Sequence, residues 1–214
     1  MIDAQALTAA LLLFAIVFAV YRISQDELRR QVAVEPDIKS ARELQRVPTP
    51  EEKPLTPGCT LTSSYKPASD VVGDFFQVVA LESDAMLIVL GDVSGKGLKA
   101  ALVVLLIVGI VRALASIFPE PGKLLAEIND RLAGRLPGAF ATALVLRLDP
   151  RGRCTLASAG HLSPFVNEHE LELPGALLLG ISAEIVYEDI HIQLKEGDYL
   201  ALHRWAAGGV QRNG

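Results

Sequence analysis

The chain contains little cysteine and no excess of positive charge. Its two cysteines in 214 residues, Cys59 and Cys154, are isolated from each other and from any histidine pair. Their spacing predicts reduced cytosolic thiols, with a single disulfide as the alternative. Lysine and arginine number 20 against 25 acidic residues, so we expect no nucleic-acid-binding surface. Half of the residues are hydrophobic, which excludes a disordered chain and, at this length, predicts one globular domain with accessory segments.

The first long hydrophobic run lies at the N-terminus, where residues 4–20 are almost uninterrupted apolar sequence. Tyr21 and Arg22 follow, an aromatic and a cation at the place where a membrane interface would lie. A cleaved signal peptide is the alternative, but the first three residues carry no basic side chain. Because positively charged residues favour the cytoplasmic side of a membrane, Arg22, Arg29 and Arg30 predict that the chain after the apolar run is cytoplasmic. We therefore predict a single-pass transmembrane anchor over residues 1–22, in the cell membrane, with the rest cytoplasmic.

A charged and proline-rich segment follows the anchor. Residues 38–47 carry a short apolar stripe at helical spacing, formed by Ile38, Ala41, Leu44 and Val47. Four prolines then predict an extended linker: Pro48, Pro50, Pro54 and Pro57. We predict a cytoplasmic helical and proline-rich linker over residues 23–57, whose helical part is a candidate for pairing two copies of the chain as a homodimer. The globular domain is predicted from residue 58 to residue 214.

Two Gly-Asp pairs flank a predicted hairpin. Asp74 follows Gly73 and precedes a predicted strand, and Asp92 follows Gly91 at the end of the apolar strand Ala85–Leu90. A turn at residues 82–84 would bring the two aspartates together. Two carboxylates beside glycines are a candidate site for a hard cation. The alternative is that both aspartates only close turns and cap helices.

The loop after Asp92 is rich in glycine but lacks the spacing of a nucleotide-binding phosphate loop, because glycine follows Lys96 directly. Beyond it, the apolar run from Leu98 to Ile117 predicts a buried core helix. A second membrane span is the alternative; Lys96, Lys99 and Arg112 argue against it. The other predicted elements are a strand at residues 60–65, a helix at residues 121–136 with Asn129 near its outer face, and a hairpin of residues 140–148 and 154–160.

The pattern Y-x-P-A-x-x-V-x-G-D-F-F from Tyr65 to Phe76, followed by G-D-V-S-G-K-G from Gly91 to Gly97, resembles the stage II sporulation protein E type of PPM phosphatase. These are metal-dependent serine/threonine phosphatases of bacterial signalling. The resemblance runs from about Leu44 to Asp198. It implies an α+β fold with two antiparallel β-sheets sandwiched between helices, here preceded by the transmembrane helix.

The resemblance also implies a site with two Mn²⁺ or Mg²⁺ ions. Asp74, Asp92 and the carbonyl of Val93 match its ligands, and the adjoining loop consists of Gly73, Ser94, Gly95, Lys96 and Gly97. A metal-activated water would attack the phosphoryl group, so no protein nucleophile is needed. The implied partner is a phosphorylated protein, such as an anti-sigma-factor antagonist. His161, in Ala-Gly-His, is interpreted as a hydrogen-bonded structural residue rather than a catalytic base.

The chain departs from the family pattern near its end. Val72 replaces a glycine of the first motif and Gln77 replaces its trailing aspartate. After Asp198 the family has Thr-Asp-Gly, which supplies another ligand, whereas this chain has His203-Arg204-Trp205 and no further acidic residue. One ligand and the closing strands are therefore predicted to be missing. The alternative function is a catalytically inactive, truncated or frameshifted domain that acts at most as a binding module.

The genetic code permits a frameshift as the origin of this departure. Read one nucleotide later, the codons for His203-Arg204-Trp205 permit Thr-Asp-Gly. We therefore hypothesise a reading-frame error near Leu202.

Overall fold

The computed structural model describes residues 56–62, 73–135 and 138–203. The predicted anchor, nearly all of the linker, the first eight residues of the Tyr65–Phe76 motif and the tail after His203 lie outside these ranges. In the part of the chain that is described, no helix combines the length and hydropathy needed to cross a membrane.

The described residues form two antiparallel sheets. Five strands make the larger sheet in the order β1-β2-β3-β4-β7, and three short strands make the smaller one in the order β6-β5-β8. The strands are β1 (Asp74–Ala80), β2 (Met86–Val93), β3 (Ala141–Leu148), β4 (Arg153–Ala159), β5 (Phe165–Val166), β6 (His169–Glu170), β7 (Ile190–Gln193) and β8 (Leu200–Ala201). Two antiparallel sheets agree with the predicted fold class.

The larger sheet is buried on both faces. In β2, Leu87 and Val89 point to one face while Ile88 and Leu90 point to the other, and all four are at most 8% exposed. Successive side chains of a strand alternate between faces, so a strand buried on both faces is hydrophobic throughout. This explains why β2 is an uninterrupted apolar run from Met86 to Leu90.

Two helices cover one face of this sheet. Helix α1 (Leu98–Leu114) packs against β1 and β2, and its buried side chains include Val104, Ile107 and Val111. The predicted buried core helix is therefore confirmed, although it ends before Ile117. Helix α2 (Pro121–Leu132) starts with proline in its first turn, where the missing N–H has no helical partner to lose.

Asn129 is fully buried, so its predicted place on the outer face of α2 is wrong. The segment around Gly180 covers it. Its side-chain amide donates to the Ser182 carbonyl at 2.7 Å and accepts from the Gly180 N–H at 2.9 Å. Because its N–H and its oxygen are both hydrogen-bonded, burying this amide costs little free energy. Helix α2 also ends at Leu132 rather than Leu136, and Gly134 follows with a positive φ of 70°.

The opposite face of the larger sheet packs against residues in and beside the smaller sheet, including Leu171, Leu200 and Leu202. Both described helices lie on the other face of the larger sheet. The predicted helices over the outer face of the smaller sheet are therefore not tested by the described residues. Cys59 and Cys154 join this second apolar cluster as free thiols, and burial raises the pKa of Cys154 to about 12. The predicted strand at residues 60–65 is wrong for Thr60–Thr62, which are irregular and follow a turn between Thr56 and Cys59.

Candidate functional site

Asp74 and Asp92 face each other across two neighbouring strands. They are register partners in the antiparallel pair of β1 and β2, which the short 3₁₀ turn Glu82–Asp84 connects. Directly opposite residues of such a pair lie with Cβ atoms about 5 Å apart on the same face. Asp74 is 8% exposed and Asp92 is open to solvent. The predicted approach of the two aspartates is thus confirmed.

Gly73 brings the main chain close to two oxygen atoms, the Val93 carbonyl oxygen and Oδ1 of Asp92. The Val93 N–H donates to the Gly73 carbonyl at 2.9 Å. A Cβ atom placed on Gly73 would lie 2.3 Å from the Val93 carbonyl oxygen and 3.0 Å from Asp92 Oδ1. Both oxygens therefore border the same small space, which stays open only because residue 73 has no side chain. The structure thus places all three predicted ligands at one end of the β1–β2 hairpin.

The loop after Asp92 is fixed to the start of β3. The Ser94 N–H donates to the Phe140 carbonyl at 2.8 Å, and the Phe140 N–H donates to Ser94 Oγ at 3.0 Å. Gly95 and Gly97 have φ values of 98° and 76°, which favour glycine. Lys96 between them is exposed. The loop residues predicted from the sequence therefore lie together, between the acidic pair and the start of α1.

A third strand, β3, adds a polar residue next to the two aspartates. Thr142 of β3 is the register partner of Asp92, and its Oγ1 is 2.8 Å from Nδ1 of His161. The His161 N–H donates to Ser158 Oγ at 3.0 Å. Neither Thr142 nor Ser158 is among the site residues predicted from the sequence. Thr142 lies two and four residues before the apolar Leu144 and Leu146, and this spacing predicts that all three share one face of β3.

The surroundings of His161 favour its neutral form. Burial lowers the pKa of the ring, whereas the main chain of His203 and the carboxylate of Asp92 act in the opposite direction. A neutral ring with one nitrogen bonded to Thr142 fits the predicted structural role. It holds the end of β4 against β3 beside Asp92.

The donor set fits an oxygen-coordinated divalent cation. Mg²⁺ and Mn²⁺ prefer carboxylate, carbonyl and water ligands, and Asp74, Asp92 and the Val93 carbonyl supply the first two kinds. Within residues 56–62, 73–135 and 138–203, no group of three or more His, Cys, Asp or Glu side chains lies close enough together to hold a metal ion. Asp198, the last acidic residue, instead accepts hydrogen bonds from the Lys195 N–H and from Asn167. The described side chains thus offer two carboxylates to a cation.

Comparison with known proteins identifies the family. The model of the family "Stage II sporulation protein E (SpoIIE)" matches residues 82–203, more than half of the chain. The chain belongs to the SpoIIE family. The matched region contains Asp92, the loop, Thr142 and His161, whereas Asp74 lies just before it. This confirms the resemblance found in the sequence motifs.

Individual relatives agree with this family. The chain is 26% identical over 186 residues to the phosphoserine phosphatase RsbU of Bacillus subtilis (strain 168), covering 83% of this chain and 53% of RsbU. This SpoIIE-family chain therefore spans about half the length of that curated relative.

Solved structures show the same fold at lower sequence identity. The SiaA PP2C domain of Pseudomonas aeruginosa superimposes with a TM-score of 0.60 at 21% identity, over 80% of this chain and 71% of that one. RsbX in complex with magnesium superimposes with a TM-score of 0.51 at 19% identity, over 62% and 66% of the two chains. The fold is therefore PP2C-like, with antiparallel sheets and packed helices.

Proposed function

We propose that this SpoIIE-family chain is a metal-dependent phosphoprotein phosphatase domain that removes phosphate from phosphoserine or phosphothreonine. Its substrate would be a bacterial signalling protein of the anti-sigma-factor-antagonist type. The observation that carries the proposal is the cross-strand pair Asp74 and Asp92 beside the Val93 carbonyl. The relationship to a phosphoserine phosphatase supports the reaction, and the magnesium complex of RsbX supports the type of cofactor.

Five residues at this end of the sheet have roles in the proposed reaction. Asp74, Asp92 and the Val93 carbonyl would hold a Mn²⁺ or Mg²⁺ ion, which would supply a water of lowered pKa and offset charge on the phosphoryl oxygens. The absence of a side chain on Gly73 would leave room for the ion. Lys96, exposed in the adjoining loop, attracts the phosphate electrostatically.

The direct test is hydrolysis of a phosphoserine peptide with Mn²⁺, with Mg²⁺ and with a chelator. Asp92→Asn should lower kcat/KM by about 100-fold or more, since it removes both a ligand and its charge. Asp84→Asn is the matched control. Asp84 lies in the exposed turn at the opposite end of the hairpin, with a φ of 56° that asparagine tolerates. Equal rates for the two variants would contradict the proposal.

A noncatalytic binding module is the second candidate function. It is favoured by the two-carboxylate donor set, because the described part of the chain adds no third acidic ligand. The same assay separates the two functions. A chain that binds the phosphoserine peptide but releases no phosphate at any metal concentration is a binding module.

For the N-terminus we propose a single-pass membrane anchor with the phosphatase domain in the cytoplasm. Support comes from the apolar residues 4–20 and the arginines that follow. The test labels cysteine variants in intact cells with a membrane-impermeant thiol reagent. Ile2→Cys should be labelled and Ser24→Cys should be protected. Labelling at position 24 would reverse the orientation.

A further inference from the structure

Phe140 is a large aromatic side chain left 42% exposed beside the acidic pair. Its main chain is held in place by both hydrogen bonds to Ser94, which follows Asp92 by two residues. Both bonds use main-chain atoms of Phe140, so the ring is not needed to fix the loop. Its neighbours Ala139 and Ala141 are buried. The fold therefore holds this ring at the protein surface, next to the candidate site.

Ile181 is 53% exposed and follows Gly180, the residue of its segment that lies next to Phe140. Leu179 exchanges two main-chain hydrogen bonds with Ala141, at 2.9 and 3.1 Å, so the segment containing Ile181 runs alongside the start of β3. A Cβ atom on Gly180 would lie 3.9 Å from the Cα of Phe140. Asn129 anchors this segment from beneath through the Gly180 N–H. We call Phe140 and Ile181 the apolar rim.

The apolar rim is continuous with the acidic pair. Thr142 is the register partner of Asp92, and Phe140 precedes Thr142 by two residues, which places both on the same side of the chain. Two residues of extended chain span roughly 7 Å. A peptide that brings its phosphoresidue to the acidic pair and extends towards Phe140 would therefore carry a residue about two positions away over the apolar rim.

We propose that the apolar rim binds an apolar side chain of the phosphoprotein substrate, close in sequence to the phosphoresidue. The inference rests on the proposed phosphatase function and adds a substrate preference to it. Phe140 and Ile181 would touch the substrate's flanking residue. The carboxylates and Lys96 serve the phosphate, and the apolar rim selects the segment that carries it.

The test uses two synthetic phosphoserine peptides that differ only two positions before and after the phosphoserine. One has leucine at both positions and the other has serine. Wild type should prefer the leucine peptide in kcat/KM by about tenfold, the scale of discrimination by a small apolar contact. Phe140→Ala and Ile181→Ala should each reduce this preference, and the double variant should abolish it.

Ile117→Ala is the matched control for Ile181→Ala. Ile117 is 65% exposed and lies beyond the C-terminal end of α1, whereas the candidate site lies at its N-terminal end. This variant should keep the wild-type preference. Equal kcat/KM for both peptides with wild type, or a preference that survives in the double variant, would overturn the proposal. Sedimentation showing a dimer that Phe140→Ala dissociates would assign the apolar rim to a second copy, and would also overturn it.

Failure of the phosphatase function gives a different result. If neither peptide is hydrolysed with any metal, the proposed activity is wrong. Fluorescence anisotropy of the labelled peptides then tests whether the apolar rim binds the leucine side chains. Tighter binding of the leucine peptide to wild type than to the double variant supports the inference, and equal binding rejects it.

Discussion

Replacing Gly73 with alanine perturbs the candidate metal site without changing any charge. The new Cβ would lie 2.3 Å from the Val93 carbonyl oxygen, whereas ordinary van der Waals contact begins at 3.4 Å. The obstacle is main chain, which cannot rotate away as a flexible side chain can. The Val93 N–H also donates to the Gly73 carbonyl, so moving the two strands apart strains that hydrogen bond.

These two effects set the expected magnitude. Overpacking a buried position costs about 1–3 kcal/mol, and a weakened hydrogen bond adds about 1 kcal/mol. We expect Gly73→Ala to lower the free energy of unfolding by about 2–4 kcal/mol. Mn²⁺ affinity should fall as well, because the displaced oxygens belong to Val93 and Asp92.

Urea unfolding followed by circular dichroism measures the stability change, and calorimetry measures Mn²⁺ binding. Gly109→Ala is the control, since a Cβ there meets no atom within 4 Å and the residue lies inside α1. Alanine at that position should raise the free energy of unfolding by about 0.5–1 kcal/mol. The close approach at Gly73 is refuted if Gly73→Ala unfolds at the wild-type urea concentration and binds Mn²⁺ with wild-type affinity.

Three further predictions concern the rest of the chain. Asn129→Ala leaves the Gly180 N–H and the Ser182 carbonyl without their partner, so urea unfolding should show a free energy of unfolding lower by about 2–4 kcal/mol. The control Asp130→Ala, at an exposed position, should lower the free energy of unfolding by less than about 1 kcal/mol. Equal losses in the two variants would contradict the buried hydrogen bonds of Asn129. Burial raises the pKa of Tyr187 to about 12. Its contribution to stability is therefore present below the ordinary tyrosine pKa of 10 and is lost as the pH rises towards 12; an ultraviolet titration in which Tyr187→Phe removes no late-titrating tyrosine would refute this. The nucleotide sequence that follows the Leu202 codon should encode Thr-Asp-Gly in the shifted frame. An early stop codon in that frame would contradict the frameshift hypothesis.

The β1–β2 hairpin could be predicted because its signals are local. Alternating and apolar runs define its strands, the short turn at residues 82–84 sets its register, and the two Gly-Asp pairs fall at matching strand ends. The loop after Asp92 was equally readable, since glycine is favoured at the positive φ values of Gly95 and Gly97. Local sequence was therefore enough to bring the two carboxylates together.

The hydrogen bond between Thr142 and His161 depends on distant pairing. The two residues are 19 positions apart, and they meet because β3 pairs with β4, with Leu144 opposite Ser158. No local pattern states that register. Asn129 was misplaced for a similar reason. A polar residue on a helix predicts exposure, but the covering segment lies 51 positions further along the chain.

The proposed function depends on Asp74 and Asp92 holding a divalent cation, and calorimetric titration with Mn²⁺ tests this most directly. Wild type should bind Mn²⁺, with lower affinity than a family member that has the Thr-Asp-Gly ligand. Asp74→Asn and Asp92→Asn should each weaken binding sharply, since each removes a charged ligand, while Asp84→Asn should bind as wild type does. Identical isotherms for wild type and Asp92→Asn would contradict the metal site, and with it the phosphatase mechanism.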